Sequence, residues 1–375
     1  MRQNVVVIGA TGQVGRELLK QVAASDVPEL SIHENPTVVV GLLDSKHFSI
    51  NLGGFSKELL EDFGSTNKKV AAVMGACELP PGGIIGVPDM MRTLGYHQDL
   101  VYVDATALNE DARDLHLKII SETGSQIATA NKNPIGRFSH QIYKQLTADP
   151  KRYQYSATTM AGLGAVPWLS ERHTIQDKIH KMNASLSGTV GFITDALTKG
   201  QKLSDAIRMA RAKGFTEPDY RDDLNGLDVG RKLIILAREA GFEVNFEDID
   251  IQPFLPNEYF TIADPEACLA KIESELDAQM LQRYAAAAEE KKTLKYLASF
   301  DVENEKPVLK VGLKEIPIES AFGKLQGTDN RIEVVTDLYS NQRPYKLEGP
   351  GAGFDITASV IRRDLVNLQH RIMRG

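Results

Sequence analysis

Residues Asn4–Ala23 read NVVVIGATGQVGRELLKQVA: an apolar strand, a glycine turn, then a helix. Val5–Ile8 is an unbroken apolar run, the pattern of a strand buried on both faces of a parallel sheet. Gly9, Gly12 and Gly15 follow. Glycines let the backbone turn tightly and approach a pyrophosphate, which then rests at the start of the helix. The spacing is GxxGxxG, one residue off the usual dinucleotide fingerprint. Read alone, it fits a dinucleotide turn or an ordinary strand–helix turn. On the first reading Gly9, Thr11, Gly12, Gln13, Val14 and Gly15 line the ligand.

The pattern continues outward from this turn. SDVPELSIHENP at 25–36 reads as a loop, and Thr37–Leu43 as a second strand. Asp44 closes that strand, where an acid usually holds the adenosine ribose. VYVDATA at 101–107 is another strand, with Asp104, Thr106 and Ala107 at its tip. QIATANKNPIG at 126–136 is a further strand and turn, with Lys132 at its end. Strands alternating with helices, with polar groups at the strand tips, indicate a Rossmann-like doubly wound parallel sheet that binds its ligand at those tips. Strands in succession between 245 and 336 suggest a second, α+β domain with a mixed sheet. GPGAGFDITASVIRRDLVNLQHRI at 349–372 is a glycine loop entering a last helix.

Composition sets limits. The chain has 375 residues, 42% of them hydrophobic, enough for a large core and for two or three domains. The net charge of −7 gives no broad basic footprint for nucleic acid. The two cysteines, Cys77 and Cys268, share no metal or redox spacing, which suits a reduced, cytoplasmic chain. No apolar run approaches the roughly 20 residues of a membrane span, and the immediate start with a strand argues against a signal peptide.

The most informative polar stretch is GFTEPDYRDDLNGLDVGRKLIILAREAG, residues 214–241. Pro218 implies a turn. Asp222 or Asp223 can cap a helix, and Gly241 can end it. Asp228 and Lys232 stand on one face of that helix, with Arg231 and Arg238 forming a narrow polar strip. So apolar a helix is mostly buried, which directs the Asp228–Lys232 pair into a cleft, where a lysine can trade protons. The plain alternative is a solvated salt-bridged helix.

TEPDYRDDLNGLDVGRKL resembles the signature of the homoserine dehydrogenases, and the resemblance recurs in order over roughly residues 5–370. The resemblance implies three segments: a dinucleotide-binding domain at 1–152, a substrate-binding and dimerisation domain at 153–340, and a C-terminal segment, 341–375, returning to the first. It implies NAD- or NADP-dependent interconversion of L-homoserine and L-aspartate 4-semialdehyde, a step toward threonine and methionine, by a homodimer. Lys232 would be the acid/base, held by Asp228. Lys132 would serve beside the nicotinamide, as would Thr106 and Ala107. Glu217, Asp223 and Asp228 would bind substrate. The GxGAG loop, with Gly349, Gly351 and Gly353, would lie near the cofactor. Backbone carbonyls of Thr159 and Ala161 would hold a monovalent cation, Na or K, although Ser156 stands where the family has an acid.

Two other readings compete. GATGQVG also resembles the aspartate-semialdehyde dehydrogenases, whose acylating cysteine would have to be Cys77. A non-catalytic dinucleotide sensor would keep the glycine turn but has no need of Lys132 and Lys232 together.

Overall fold

The computed structural model describes residues 2–25, 36–95 and 100–372. Most of the expected loop at 25–36, residues 26–35, lies outside the described residues. The chain forms two units, Met1–Val166 with Ala352–Gly375, and Pro167–Gly351.

The first unit begins with β1 (Gln3–Ile8), α1 (Gln13–Ser25), β2 (Thr37–Leu43), β3 (His47–Ile50), α2 (Lys57–Ser65), β4 (Cys77–Glu78) and α3 (Val87–Thr93). It continues with β5 (Leu100–Asp104), α4 (Glu110–Glu122), β6 (Gln126–Thr129), α5 (Asn133–Gly136), α6 (His140–Thr147) and β7 (Tyr153–Gln154). The sheet order is β4-β3-β2-β1-β5-β6-β7. Strands β2, β1, β5, β6 and β7 run parallel, as the strand–helix alternation requires. Val5, Val6, Val7 and Ile8 are all buried, which is why the run carries no polar alternation. Strands β3 and β4 add an antiparallel edge.

The second unit takes most of α7 (Ala165–Thr174), then β8 (Ile179–Ser185), α8 (Gly188–Thr198), α9 (Leu203–Ala212), α10 (Arg221–Leu224), α11 (Leu227–Glu239) and β9 (Ile249–Ile251). It ends with α12 (Pro265–Lys271), α13 (Asp277–Glu289), β10 (Lys292–Glu303), β11 (Lys306–Pro317), β12 (Asn330–Thr336) and β13 (Tyr345–Gly349). Its sheet is mixed, ordered β13-β12-β8-β10-β11-β9, with β9 parallel to β11 and the other pairs antiparallel. Alternate residues of β10 turn toward aromatic neighbours: Phe300 meets Phe242 and Tyr296 meets Phe254.

Helix α14 (Phe354–Ile372) returns to the first unit. Its Ile361, Leu365 and Leu368 are buried in one core with Leu18 and Val22 of α1. Burying each such side chain contributes about 1.5–3 kcal/mol. Gln3 also donates to the Leu365 carbonyl at 2.9 Å, so the first strand and last helix are tied together.

The expected divisions at 152/153 and 340/341 shift. Residues 153–166 stay with the first unit because β7 pairs with β6. Residues 341–351 stay with the second because β13 pairs with β12.

Candidate functional site

In the first unit the glycine turn is fixed by close backbone approach. Gly9 takes φ +83°, and a Cβ there would stand 2.9 Å from the Ala105 carbonyl oxygen. A Cβ on Gly15 would stand 2.3 Å from the Gly9 carbonyl oxygen. Side chains would therefore fill the cradle between β1, α1 and the loop after β5. Gly12 and Gln13 are exposed at the start of α1, where first-turn amides and the helix dipole favour a phosphate. This cradle fits a pyrophosphate, with Thr11 and Val14 half-buried beside it.

Asp44 sits at the tip of β2, as expected, but it also closes a hairpin turn. Its Oδ1 accepts from the amides of Lys46 (2.9 Å) and His47 (2.8 Å), and its Oδ2 from Val70 (3.2 Å). Burial works to raise its pKa. The three amide bonds and nearby His47 outweigh that and hold the carboxyl below its ordinary value. A carboxylate has about four acceptor positions, so about one remains for a ribose hydroxyl. Arg16 donates to the carbonyls of Thr11 and Lys68, and Lys57 pairs with Glu61.

The tips of β5 and β6 are clamped together. Asp104 is buried, and its Oδ1 accepts from the Thr106 amide (2.9 Å) and hydroxyl (2.7 Å). Its Oδ2 accepts from Asn131 Nδ2 at 3.0 Å. Asn131 also donates to the Leu108 carbonyl, and Asn133 donates to that of Ala107. Lys132, half-buried, lies between these two asparagines at the start of α5. The sequence reading singled out Thr106 and Lys132 but missed Asn131 and Asn133, which hold the two loops in register. The repeated asparagine in TANKN was the available signal.

In the second unit, residues 214–241 differ from the expected single helix. The chain makes the short α10, breaks at Asn225–Gly226, and starts again as α11. Gly226 takes φ +78°, with Tyr296 Oη only 2.4 Å from where a Cβ would be. Neither Asp222 nor Asp223 caps α11, since Gly226 occupies that position. Gly241 does end the helix, at φ +91°. Arg238 is not on a solvent strip: it is buried and donates to the Val244 carbonyl.

Asp228 and Lys232 do share a face of α11. Lys232 Nζ lies 2.9 Å from Asp228 Oδ2 and donates to the Leu186 carbonyl oxygen at 2.7 Å. The lysine side chain is 13% exposed and the aspartate 35%, so the pair is reachable but not freely solvated. An ammonium has three N–H groups, and two are engaged. The Leu186 carbonyl belongs to the turn into α8, whose first residues are Gly188 and Thr189. The Thr189 hydroxyl shares its one proton between the Phe215 carbonyl (2.5 Å) and Asp223 Oδ1 (3.1 Å), and the Glu217 amide donates to Asp223 Oδ2 at 2.9 Å. Burial raises the Asp223 carboxyl to about 6; these bonds oppose it, and the charges of Glu217 and Asp228 add to it. The link through Thr189 was not legible in the sequence, because Thr189 and Asp223 are 34 residues apart.

The Thr159 hydroxyl is buried without a hydrogen-bond partner, and the Ser156 amide donates to Asp364 Oδ2 at 2.9 Å. Gly351 is the last residue of the second unit. Cys77 lies exposed on β4 with Sγ 3.7 Å from the Gly75 carbonyl oxygen.

A sequence profile described as homoserine dehydrogenase matches residues 167–366. The homoserine dehydrogenase of Saccharomyces cerevisiae is 32% identical over 261 residues, 67% of this chain and 70% of that protein. That of Emericella nidulans is 30% identical over 285 residues, 72% and 76% of the two chains. The chloroplastic bifunctional aspartokinase/homoserine dehydrogenase of Daucus carota is 35% identical over 272 residues, but the match spans only 29% of that longer protein. Among solved structures, a Candida auris protein of unknown function superposes with a TM-score of 0.83 at 27% identity, covering 99% of both chains. A hyperthermophilic archaeal homoserine dehydrogenase in complex with NADPH shares the fold, with a TM-score of 0.74 at 18% identity over 99% and 98% of the chains.

Proposed function

The chain belongs to the homoserine dehydrogenase family, and from that premise we propose that it interconverts L-homoserine and L-aspartate 4-semialdehyde with NAD or NADP. The observation that carries this reading is Lys232, held between the Asp228 carboxylate and the Leu186 carbonyl beside the Asp223–Thr189 cluster.

Oxidising the alcohol requires loss of the hydroxyl proton and departure of a hydride. When bound, the nicotinamide supplies the hydride acceptor. In the reducing direction the Lys232 ammonium gives a proton from Nζ to the forming alcohol oxygen, and in the oxidising direction the free amine takes the hydroxyl proton back, with Asp228 stabilising the ammonium. Asp223, once ionised, and Glu217 receive the substrate ammonium. Lys132 bonds the reacting oxygen from the nicotinamide side. Gly9, Gly12 and Gly15 leave room for the pyrophosphate, with Thr11, Gln13 and Val14 at the same turn. Thr106 and Ala107 border the nicotinamide, and Gly351 belongs to the same cofactor-binding set. A monovalent cation at the Thr159 and Ala161 carbonyls belongs to the same proposal, but no step depends on it.

The same reading takes the protein as a cytoplasmic homodimer paired through the second sheet. Reduced cysteines and most soluble oligomers' two-fold symmetry support this. Among the described residues no helix is long and apolar enough to cross a membrane. Light scattering giving only monomer at working concentration would oppose the dimer. Purified protein supplied with L-homoserine and each cofactor, followed at the reduced-nicotinamide absorbance, tests the activity. Binding without turnover would favour a sensor. Phosphate-dependent acylation requiring Cys77 would favour an aspartate-semialdehyde dehydrogenase.

A further inference from the structure

Behind the Asp104 clamp lies a buried histidine that the mechanism above does not use. His116 of α4 is 1% exposed, and its Nε2 lies 3.1 Å from Asp104 Oδ2, close though short of good hydrogen-bond alignment. Its Nδ1 is 2.8 Å from the hydroxyl of Tyr153, which is fully buried on β7. The protons on this chain follow from chemistry. An ionised carboxylate only accepts, so the proton faces Asp104 from Nε2. With that proton on Nε2, Nδ1 can accept from the Tyr153 hydroxyl. Burial works to raise the Asp104 carboxyl, but His116 and Thr106 hold it below its ordinary value. Burial pushes the Tyr153 phenol well above its ordinary value, so it keeps its proton.

The row Tyr153–His116–Asp104 therefore ends on the atoms that fix two loops. Asp104 Oδ1 takes both donors of Thr106, and Oδ2 takes Asn131, the residue before Lys132. The inner end of the row is built on α4 and β7, regular elements packed in the core. Thr106 and Asn131 hold the outer side of the Asp104 carboxyl, and His116 Nε2 packs 3.1 Å from Oδ2 on the inner side. Rotating the carboxyl would lose that contact together with the Thr106 and Asn131 donors inside the core, which is costly.

We propose that His116, backed by Tyr153, is a positioning residue for the nicotinamide end of the dinucleotide, setting through Asp104 the register of the loops that carry Thr106 and Lys132. This rests on the proposed roles of those two loops. It concerns chiefly the nicotinamide end: the glycine turn meets the same loop only at the Ala105 carbonyl and the Thr106 methyl. Ala105 is held separately by the hydrogen bond from its amide to the Ile8 carbonyl.

The test compares two probes on the full-length chain. NADPH carries the nicotinamide; ADP-ribose carries the adenosine, pyrophosphate and ribose without it. Dissociation constants come from nicotinamide fluorescence and from displacement by ADP-ribose, with kcat and KM measured alongside. His116→Phe weakens NADPH about tenfold or more and lowers kcat by about ten- to a hundredfold, the scale of a small misplacement of reacting groups. ADP-ribose affinity and the KM for homoserine stay within about twofold. His116→Gln, which can still donate toward Asp104, recovers most of the loss. Tyr153→Phe removes one hydroxyl and gives the same split in milder form, which keeps the test alive if His116→Phe fails to fold. Equal loss of both probes, or a fall in thermal midpoint with kcat and KM unmoved, overturns the proposal. Homoserine turnover is read separately on the wild type. Wild type that binds both probes but leaves homoserine untouched refutes the proposed function without touching the binding split.

Discussion

Lys232 Nζ lies 2.9 Å from Asp228 Oδ2, one helical turn earlier on α11, and the same ammonium is anchored by the Leu186 carbonyl at 2.7 Å. A lysine held on two sides has a fixed Nζ position, which a proton-transfer group requires and a solvated surface pair lacks. Removing such a group typically lowers the rate by about 10²–10⁴. Lys232→Ala lowers kcat over that range while circular dichroism remains that of the wild type. A near-normal kcat transfers the role to Lys132.

Asp223 gives the activity an acid limb. Burial raises its carboxyl to about 6, so it is protonated below that pH and cannot then offer a full charge to a substrate ammonium. The free-enzyme group is reported by kcat/KM. For homoserine, kcat/KM falls on acidification with an apparent pKa near 6, and Asp223→Asn flattens that limb at a lower plateau. An unchanged limb in the variant assigns it to another group.

Asp364 makes stability depend on pH in the opposite sense to most acids. Its side chain is fully buried, Oδ1 has no hydrogen-bond partner, and burial raises the carboxyl to about 6 against an ordinary 3.8. The folded state thus holds this proton more tightly than the unfolded chain does. The contribution is fully present below about pH 4 and is lost as pH rises through about 6, with an upper bound of roughly 3 kcal/mol. Asp364→Asn, which imitates the protonated acid, raises the unfolding midpoint at pH 8 and changes it little at pH 4. Equal shifts at both values would refute the assignment.

On the proposed reading, Asp44 sets cofactor preference through the acceptor position its turn leaves open. Two like charges about 4 Å apart repel by about 1 kcal/mol in water and about 4 at an effective dielectric near 20. The proposal predicts that both cofactors are used, with Asp44 tilting the balance toward NAD. Asp44→Asn keeps a turn acceptor and removes the charge, so kcat/KM for NADP rises about tenfold relative to NAD. Lys46→Ala moves the ratio the other way. A ratio unmoved by either change removes Asp44 from the ribose.

What could be read from the sequence followed burial. Val5–Ile8 and Thr37–Leu43 were legible as strands because both lie in the interior of a parallel sheet and show as apolar runs. His47–Ile50 was not, since a four-residue, mostly half-buried antiparallel strand after a turn carries no such run. The break at Asn225–Gly226 was written as an Asn-Gly turn signal, but the apolar pattern on either side overrode it. Asp228 and Lys232 were legible because helix spacing is local. Asp222 and Asp223 could both be read as caps, and only the folded chain shows Asp223 turned instead to the Glu217 amide and to Thr189, which lies 34 residues away. His116 went unread for the same reason: nothing in α4 announces Asp104 or Tyr153.

The most direct test is absorbance at the reduced-nicotinamide band, with purified protein, L-homoserine, and NAD or NADP in turn from neutral to alkaline pH. The account predicts a steady rise that depends on homoserine, is poorly supported by L-serine or L-threonine, and is lost in Lys232→Ala. No rise with either cofactor, from protein that is folded and binds NADPH, would contradict it.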